Sequence, residues 1–99
     1  MWYNCYTNIM RFKFDPQKSQ KLKRERGYDL SEVQEVFESP YYLDQRSDEP
    51  EQYRAIGWVR GVFVSLIFEI RNDEEGEYYH LVTLWKSTKE EQRLYEKNS

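Results

Sequence analysis

Few side chains in this 99-residue sequence could do chemistry, and they are of few types: one histidine (His80), one cysteine (Cys5), 15 Lys and Arg, and 18 Asp and Glu. A lone imidazole invites a general-base role, because its ordinary pKa lies near neutrality. The cations crowd residues 11–26, where Arg11, Lys13, Lys18, Lys21, Lys23, Arg24 and Arg26 face only Asp15 and Glu25. Residues 29–51 reverse the sign, with Arg46 alone against a run of acids. Residues 69–77 add Glu69, Asp73, Glu74, Glu75 and Glu77 around Arg71. A net charge of -3 therefore conceals a basic segment that suits a nucleic-acid face or, equally, a solvated helix surface. Aromatics at 17% suit a core with polar tips or a platform for stacked bases. There is no Gly-rich phosphate loop, HExxH, CxxC or nucleophile elbow. The carboxylates sit in stretches that read as loops and helices, which argues against a paired-acid site. Catalysis here would rest on cations, hydroxyls and aromatics, with no metal or cofactor expected.

The length corresponds to one domain, which at this size buries roughly two-thirds of its unfolded surface. A single Cys5 allows no intrachain disulfide and no Cys-rich metal site. No apolar run reaches the ~20 residues that span a bilayer. The opening residues lack the basic-then-apolar pattern of a signal peptide. A cytoplasmic protein without membrane partners is the expectation. Residues 1–9 show no period and read as a frayed leader, with Met10 as an alternative start and residues 10–99 as the domain.

The organising element is residues 62–70 (Val-Phe-Val-Ser-Leu-Ile-Phe-Glu-Ile), apolar on both faces and rich in β-branched and aromatic side chains. Such a run reads as the central strand of a small sheet, covered on both sides. Residues 11–14 read as a short strand with Phe12 and Phe14 on one face. Asp15 as N-cap, Pro16 at the first helical position and Gly27 beyond the end predict a helix over 16–26, basic and nearly without an apolar stripe. Ser31 to Gln34 matches a capping box, and Val33, Val36 and Phe37 fall at helical spacing up to Ser39-Pro40. Residues 41–43 suggest a short strand and 44–51 a loop. Residues 53–59, 62–70 and 78–86 read as strands joined by short links, so antiparallel hairpins are expected. Thr88 with Glu91 opens a last helix anchored by Leu94 and Tyr95. The class is α+β, in the order β-α-α-β-β-β-α, as a small antiparallel sheet with two N-terminal helices and one C-terminal helix.

Hairpin geometry converts these strands into a register. Pairing Arg71 with Tyr78 places His80 opposite Glu69, Trp85 opposite Val64 and Lys86 opposite Phe63. Pairing Val59 with Val62 places Trp58 opposite Phe63 and Gly57 opposite Val64. Trp58, Phe63 and Lys86 then form one row, and Gly57 leaves room for Trp85 on the other face. His80 reads as the cross-strand partner of Glu69. It stands roughly 20 Å along the strand from Lys86, too far for a dyad.

Taken in order, the motifs resemble the BrnT family of toxins from bacterial type II toxin–antitoxin pairs. Phe14-Asp15-Pro16-Gln17-Lys18 matches that family's aromatic-Asp-Pro-x-Lys opening. Glu25-Arg26-Gly27-Tyr28 stands where the first helix of the family closes, and residues 30–37 look like its Ser-Phe-Glu-Glu-Ala-x-x-Val-Phe helix. Glu51-Gln52-Tyr53-Arg54-Ala55-Ile56-Gly57 is similar to its Glu-Arg-x-x-Ala-Ile-Gly strand. Thr83-Leu84-Trp85-Lys86-Ser87, followed by Glu91 and Tyr95, takes the place of its last strand and helix. The likeness spans residues 12–97. Departures lie at the cations: Arg26 replaces a His, Gln52 replaces an Arg, and Lys86 alone keeps a positive charge where the family's last strand is arginine-rich.

The resemblance implies a RelE-like fold and metal-independent cleavage of messenger RNA. It implies neutralisation by a BrnA-like antitoxin, with operator DNA met only through that antitoxin. Cleavage needs a 2′-hydroxyl aligned or deprotonated, phosphate charge stabilised and a proton for the leaving oxygen. On this reading Lys86 and Arg60 stabilise the phosphate, while Glu51 and His80 are the candidate proton-transfer groups. Trp58 and Trp85 could stack bases, and Arg26, Lys18 and Arg54 hold the RNA backbone. The other reading is a binding module that has lost activity and keeps only a protein interface.

Overall fold

A computed structural model of the chain describes residues 11–98. The expected leader, Cys5 and Met10 lie outside the described residues. A five-stranded sheet carries three helices. The elements run β1 (Arg11–Lys13), α1 (Pro16–Arg26), α2 (Leu30–Val33), a 3-10 segment (Gln34–Glu38), β2 (Tyr42–Asp48), β3 (Glu51–Val59), β4 (Val62–Asp73), β5 (Gly76–Lys86) and α3 (Lys89–Asn98). In space the strands lie in the order β1-β5-β4-β3-β2, with β4 at the centre.

Local chemistry accounts for most boundaries. Asp15 caps α1 by accepting the Gln17 N–H at 3.0 Å, and Pro16 follows it. Gly27, at φ 85°, closes the helix by returning its N–H to the Lys23 carbonyl. The next helix is shorter than the apolar spacing suggests. Asp29, not Ser31, caps it, with Glu32 completing the capping box; after one turn the backbone tightens to the 3-10 segment. Leu30, Val33 and Val36 are all fully buried. At α3, Thr88 and Glu91 cap each other as expected: the Thr88 N–H donates to Glu91 at 2.8 Å and the Glu91 N–H to Thr88 at 3.2 Å.

The main core lies on one face of the sheet, beneath α1, α2 and the 3-10 segment. Leu22, Leu30, Val33 and Val36 meet Ala55, Val59, Val64, Leu66, Phe68, Leu81 and Leu84 there. Phe12, Phe37, Phe68 and Tyr79 join in an aromatic cluster with ring centroids 4.4–5.9 Å apart. Burying each side chain of this size contributes on the order of 1.5–3 kcal/mol. The opposite face carries α3 at one end, where Tyr95 packs edge-on against Phe63.

Three sequence expectations are corrected here. Residues 42–48 form a full strand, β2, rather than a brief strand and a loop; its bulge at Arg46 breaks the alternation that would have marked it. The sheet is mixed, because β1 pairs parallel to β5 with Phe12 beside Tyr79. Hairpin reasoning covers only sequence neighbours, and β1 has none. Finally, β5 has a bulge. The register runs as expected from Arg71–Tyr78 through Glu69–His80 to Phe68–Leu81, then jumps to Ile67–Thr83. Val82 is the extra residue. Leu81 and Leu84 are both buried in the same core, and a spacing of three in a strand demands such a slip.

Candidate functional site

The bulge decides where the cations point. Lys86 stands opposite Val64, not Phe63, and Trp85 stands opposite Ser65. The β3–β4 hairpin keeps the expected register, with Trp58 opposite Phe63 and Gly57 opposite Val64. Side chains alternate along β4, so Lys86 shares its face with Val64 and Gly57, while Trp58 and Phe63 occupy the other. The expected row of Trp58, Phe63 and Lys86 does not exist. Trp58 instead stacks on Phe63 at 3.9 Å. Gly57 does not make room for Trp85; it lets Val36 and Tyr41 approach the sheet.

Lys86 still lies at the Val62 end of the sheet, as expected. Arg26, at the end of α1, donates to the carbonyl of Leu84 at 3.0 Å, which brings a second exposed cation beside the end of β5. Among the described residues the Lys86 side chain has no hydrogen-bond or ion-pair partner. Arg26 uses one of its donors and keeps the rest. Arg60 occupies the β3–β4 turn at φ 51°, followed by Gly61 at φ 84°, a pair of left-handed residues that matches a tight type I′ hairpin. Its guanidinium is held by Glu35 at 2.8 Å and Glu32 at 3.1 Å, and these acids raise its pKa further. Glu32 also binds Lys23. The charge of Arg60 is thus largely cancelled.

Arg54 and Trp85 both have internal partners. Arg54 sits between Asp44 and Glu91, with its side chain 12% exposed. Trp85 donates its indole N–H to Glu91 at 2.9 Å, and Arg46 lies 5.8 Å from its ring centre. Burial alone would raise the pKa of Glu91. The Thr88 N–H and Trp85 indole outweigh it and hold the carboxyl below its usual range. Neither Glu91 nor Asp44 was expected to matter beyond a cap and a loop. The Thr88–Glu91 pair was the legible signal, and the burial of that carboxylate was not.

Glu51 and His80 fall at the other end. Glu51 accepts from the Tyr53 hydroxyl beside the β2–β3 turn. His80 does face Glu69, which in turn accepts from Gln52 at 2.8 Å and from Arg71. Those donors, Gln52 first, hold Glu69 below its usual pKa despite burial. Burial pushes His80 down, and the charge of Arg71 adds to the effect. From Val64, opposite Lys86, to Glu69, opposite His80, is roughly 16 Å along β4. Lys18 is exposed on α1 near the His80 end, where its charge is felt by that imidazole. Of the four catalytic candidates, Lys86 and Arg60 share one end while Glu51 and His80 share neither it nor a common partner.

No family model and no curated protein matches this chain.

Among the described residues, no group of three or more His, Cys, Asp or Glu side chains could hold a metal ion, and no helix is long and apolar enough to cross a membrane. The Val62 end of the sheet can offer an anion two exposed cations from different elements. It offers no adjacent imidazole.

Proposed function

We propose that this chain is a toxin of a type II toxin–antitoxin pair, similar to BrnT, that acts on RNA. It works in the cytoplasm and is neutralised by a BrnA-like antitoxin through which alone it would meet operator DNA. The observation that carries this reading is the convergence of Arg26 and Lys86 at one sheet end, from the two elements that hold the first and last motifs of the resemblance. The element order suits a RelE-type fold. In the proposed reaction the RNA 2′-oxygen attacks the adjacent phosphorus as the bond to the 5′-oxygen breaks, leaving a cyclic phosphate and a 5′-hydroxyl. Lys86 and Arg26 stabilise the charge on the non-bridging oxygens. The proton from the 2′-hydroxyl leaves to solvent, and the leaving oxygen takes one from solvent or from Lys86. His80 and Glu51 have no part in this step.

A second reading is favoured by a specific observation: Arg60 and Arg54 are each held by two carboxylates. A chain whose arginines are internally neutralised would retain a protein interface and lose activity. Expression of the chain alone in a bacterium separates the two. Growth arrest and cleaved transcripts, both abolished by Lys86→Ala, support the toxin. Normal growth with intact RNA from purified protein supports the binding module.

A further inference from the structure

Arg54 and Arg60 are each held by two carboxylates, but the two sites are built differently. The Arg54 side chain is 12% exposed between Asp44 and Glu91, so moving it would leave a buried charge without its partner. The Arg60 side chain is 58% exposed, and its acids, Glu32 and Glu35, stand at the surface with it. An ion pair this open to water adds little net energy and is screened by salt, so its partner can be exchanged. The pairing with Glu35 is also incomplete in form. One carboxylate oxygen, Oε2, accepts from both Nε, at 3.2 Å, and Nη2, at 2.8 Å. A phosphate can set two oxygens against that same edge, which is the arrangement a guanidinium binds best.

The place of this pair in the fold matters as much as its exposure. Glu32 and Glu35 belong to α2 and the 3-10 segment, which cover the face of the sheet that carries Val64. Lys86 shares that face, and Arg26 ends the helix beside it. Glu32 also binds Lys23, whose side chain is 51% exposed. Lys23, Arg26, Arg60 and Lys86 thus lie on one side of the sheet at its Val62 end, with Glu32 and Glu35 occupying two of them. Asp29 adds negative charge near Arg60, but its Oδ1 already accepts from the Ser31 hydroxyl and the Glu32 N–H.

We propose that Glu35, with Glu32, is an exchangeable latch on Arg60, and that a backbone phosphate of single-stranded RNA displaces it to make Arg60 a third phosphate-binding cation beside Lys86 and Arg26. The proposal rests on the RNA reading and adds to it a competition built into the site. Arg60 turns from the acids to the phosphate, while Arg54 stays where it is.

The probe is a fluorescein-labelled, fully 2′-O-methylated single-stranded RNA, which lacks the attacking hydroxyl and stays intact. Its binding to the full chain is read by anisotropy. Glu35→Gln keeps the shape of the side chain and leaves the Asp29–Glu32 capping box in place. It should tighten binding, and the gain should be about threefold larger in the parent than in an Arg60→Gln background, where there is no latch to release. In the ¹⁵N-labelled chain the Arg60 Nε–H resonance should shift saturably with the same RNA, and that of Arg54 should not. If neither the parent nor the Glu35→Gln chain binds the probe, the RNA reading fails and this proposal with it. If the probe binds but the Arg60 resonance stays still, or Glu35→Gln gains equally in both backgrounds, the latch alone is overturned.

Discussion

The indole N–H of Trp85 donates to Glu91 at 2.9 Å, and through it the end of β5 is tied to the first turn of α3. Glu91 is 6% exposed and also receives the Thr88 N–H and the Arg54 guanidinium. Removing the carboxylate takes a partner from three part-buried donors at once, although Arg54 keeps Asp44. Glu91→Ala is expected to lower stability by about 1–3 kcal/mol, the range for donors left without their acceptor, and Glu91→Gln by less. Urea unfolding measures both. A Glu91→Ala value within about 0.5 kcal/mol of the parent would show the network to be ornamental.

Gly57 is a packing glycine. A Cβ built there would lie 2.9 Å from the Val36 Cγ2 and 3.3 Å from the Tyr41 Cβ. Val36 is fully buried and cannot swing aside. Gly57→Ala should cost about 1–3 kcal/mol, and trimming the neighbour in Gly57→Ala with Val36→Ala should recover part of that loss. Thermal melts of the single and double variants decide the matter; strict additivity would refute the clash.

His80 makes stability depend on pH. Burial holds its folded pKa below the ordinary value, so the unfolded chain binds the proton more readily. The stabilisation is complete above the unfolded pKa of about 6.5 and is lost as pH falls through that value toward the folded one. Denaturant midpoints measured from pH 7.5 downward should therefore decline through this window, and His80→Gln should flatten that decline. An unchanged slope in the variant would exclude the imidazole as its source.

If the chain cleaves RNA, its sensitivity to mutation should be confined to one sheet end. Lys86→Ala and Arg26→Ala should each cost on the order of 10²-fold in cleavage, as the loss of one transition-state donor does elsewhere. Glu51→Gln and His80→Gln should leave cleavage within a few-fold of the parent. A large loss on His80→Gln would move the site roughly 16 Å along the sheet and overturn the present assignment.

The sequence by itself determined what depends on near neighbours. Asp15, Pro16 and Gly27 bound α1 by their own backbone preferences, and residues 62–70 announced the central strand by being apolar on both faces. The tight Arg60-Gly61 link set the β3–β4 register, so Trp58 met Phe63 as expected, and His80 met Glu69 across the next hairpin. Leu81 and Leu84 already carried the mark of a bulge in their spacing, which simple alternation passed over. Only the tertiary structure decided the rest. The partner of β1 is a strand more than sixty residues away in sequence, and β2 is a strand because β3 accepts it despite its polar composition. One extra residue, Val82, turned Lys86 away from Trp58, and distant carboxylates at Glu32, Glu35, Asp44 and Glu91 neutralised Arg60 and Arg54. Caps and turns are set by forces that act over a few residues. Which face a strand-end cation takes, and which acid meets it, is settled by packing between segments whose separation in sequence carries no local signal.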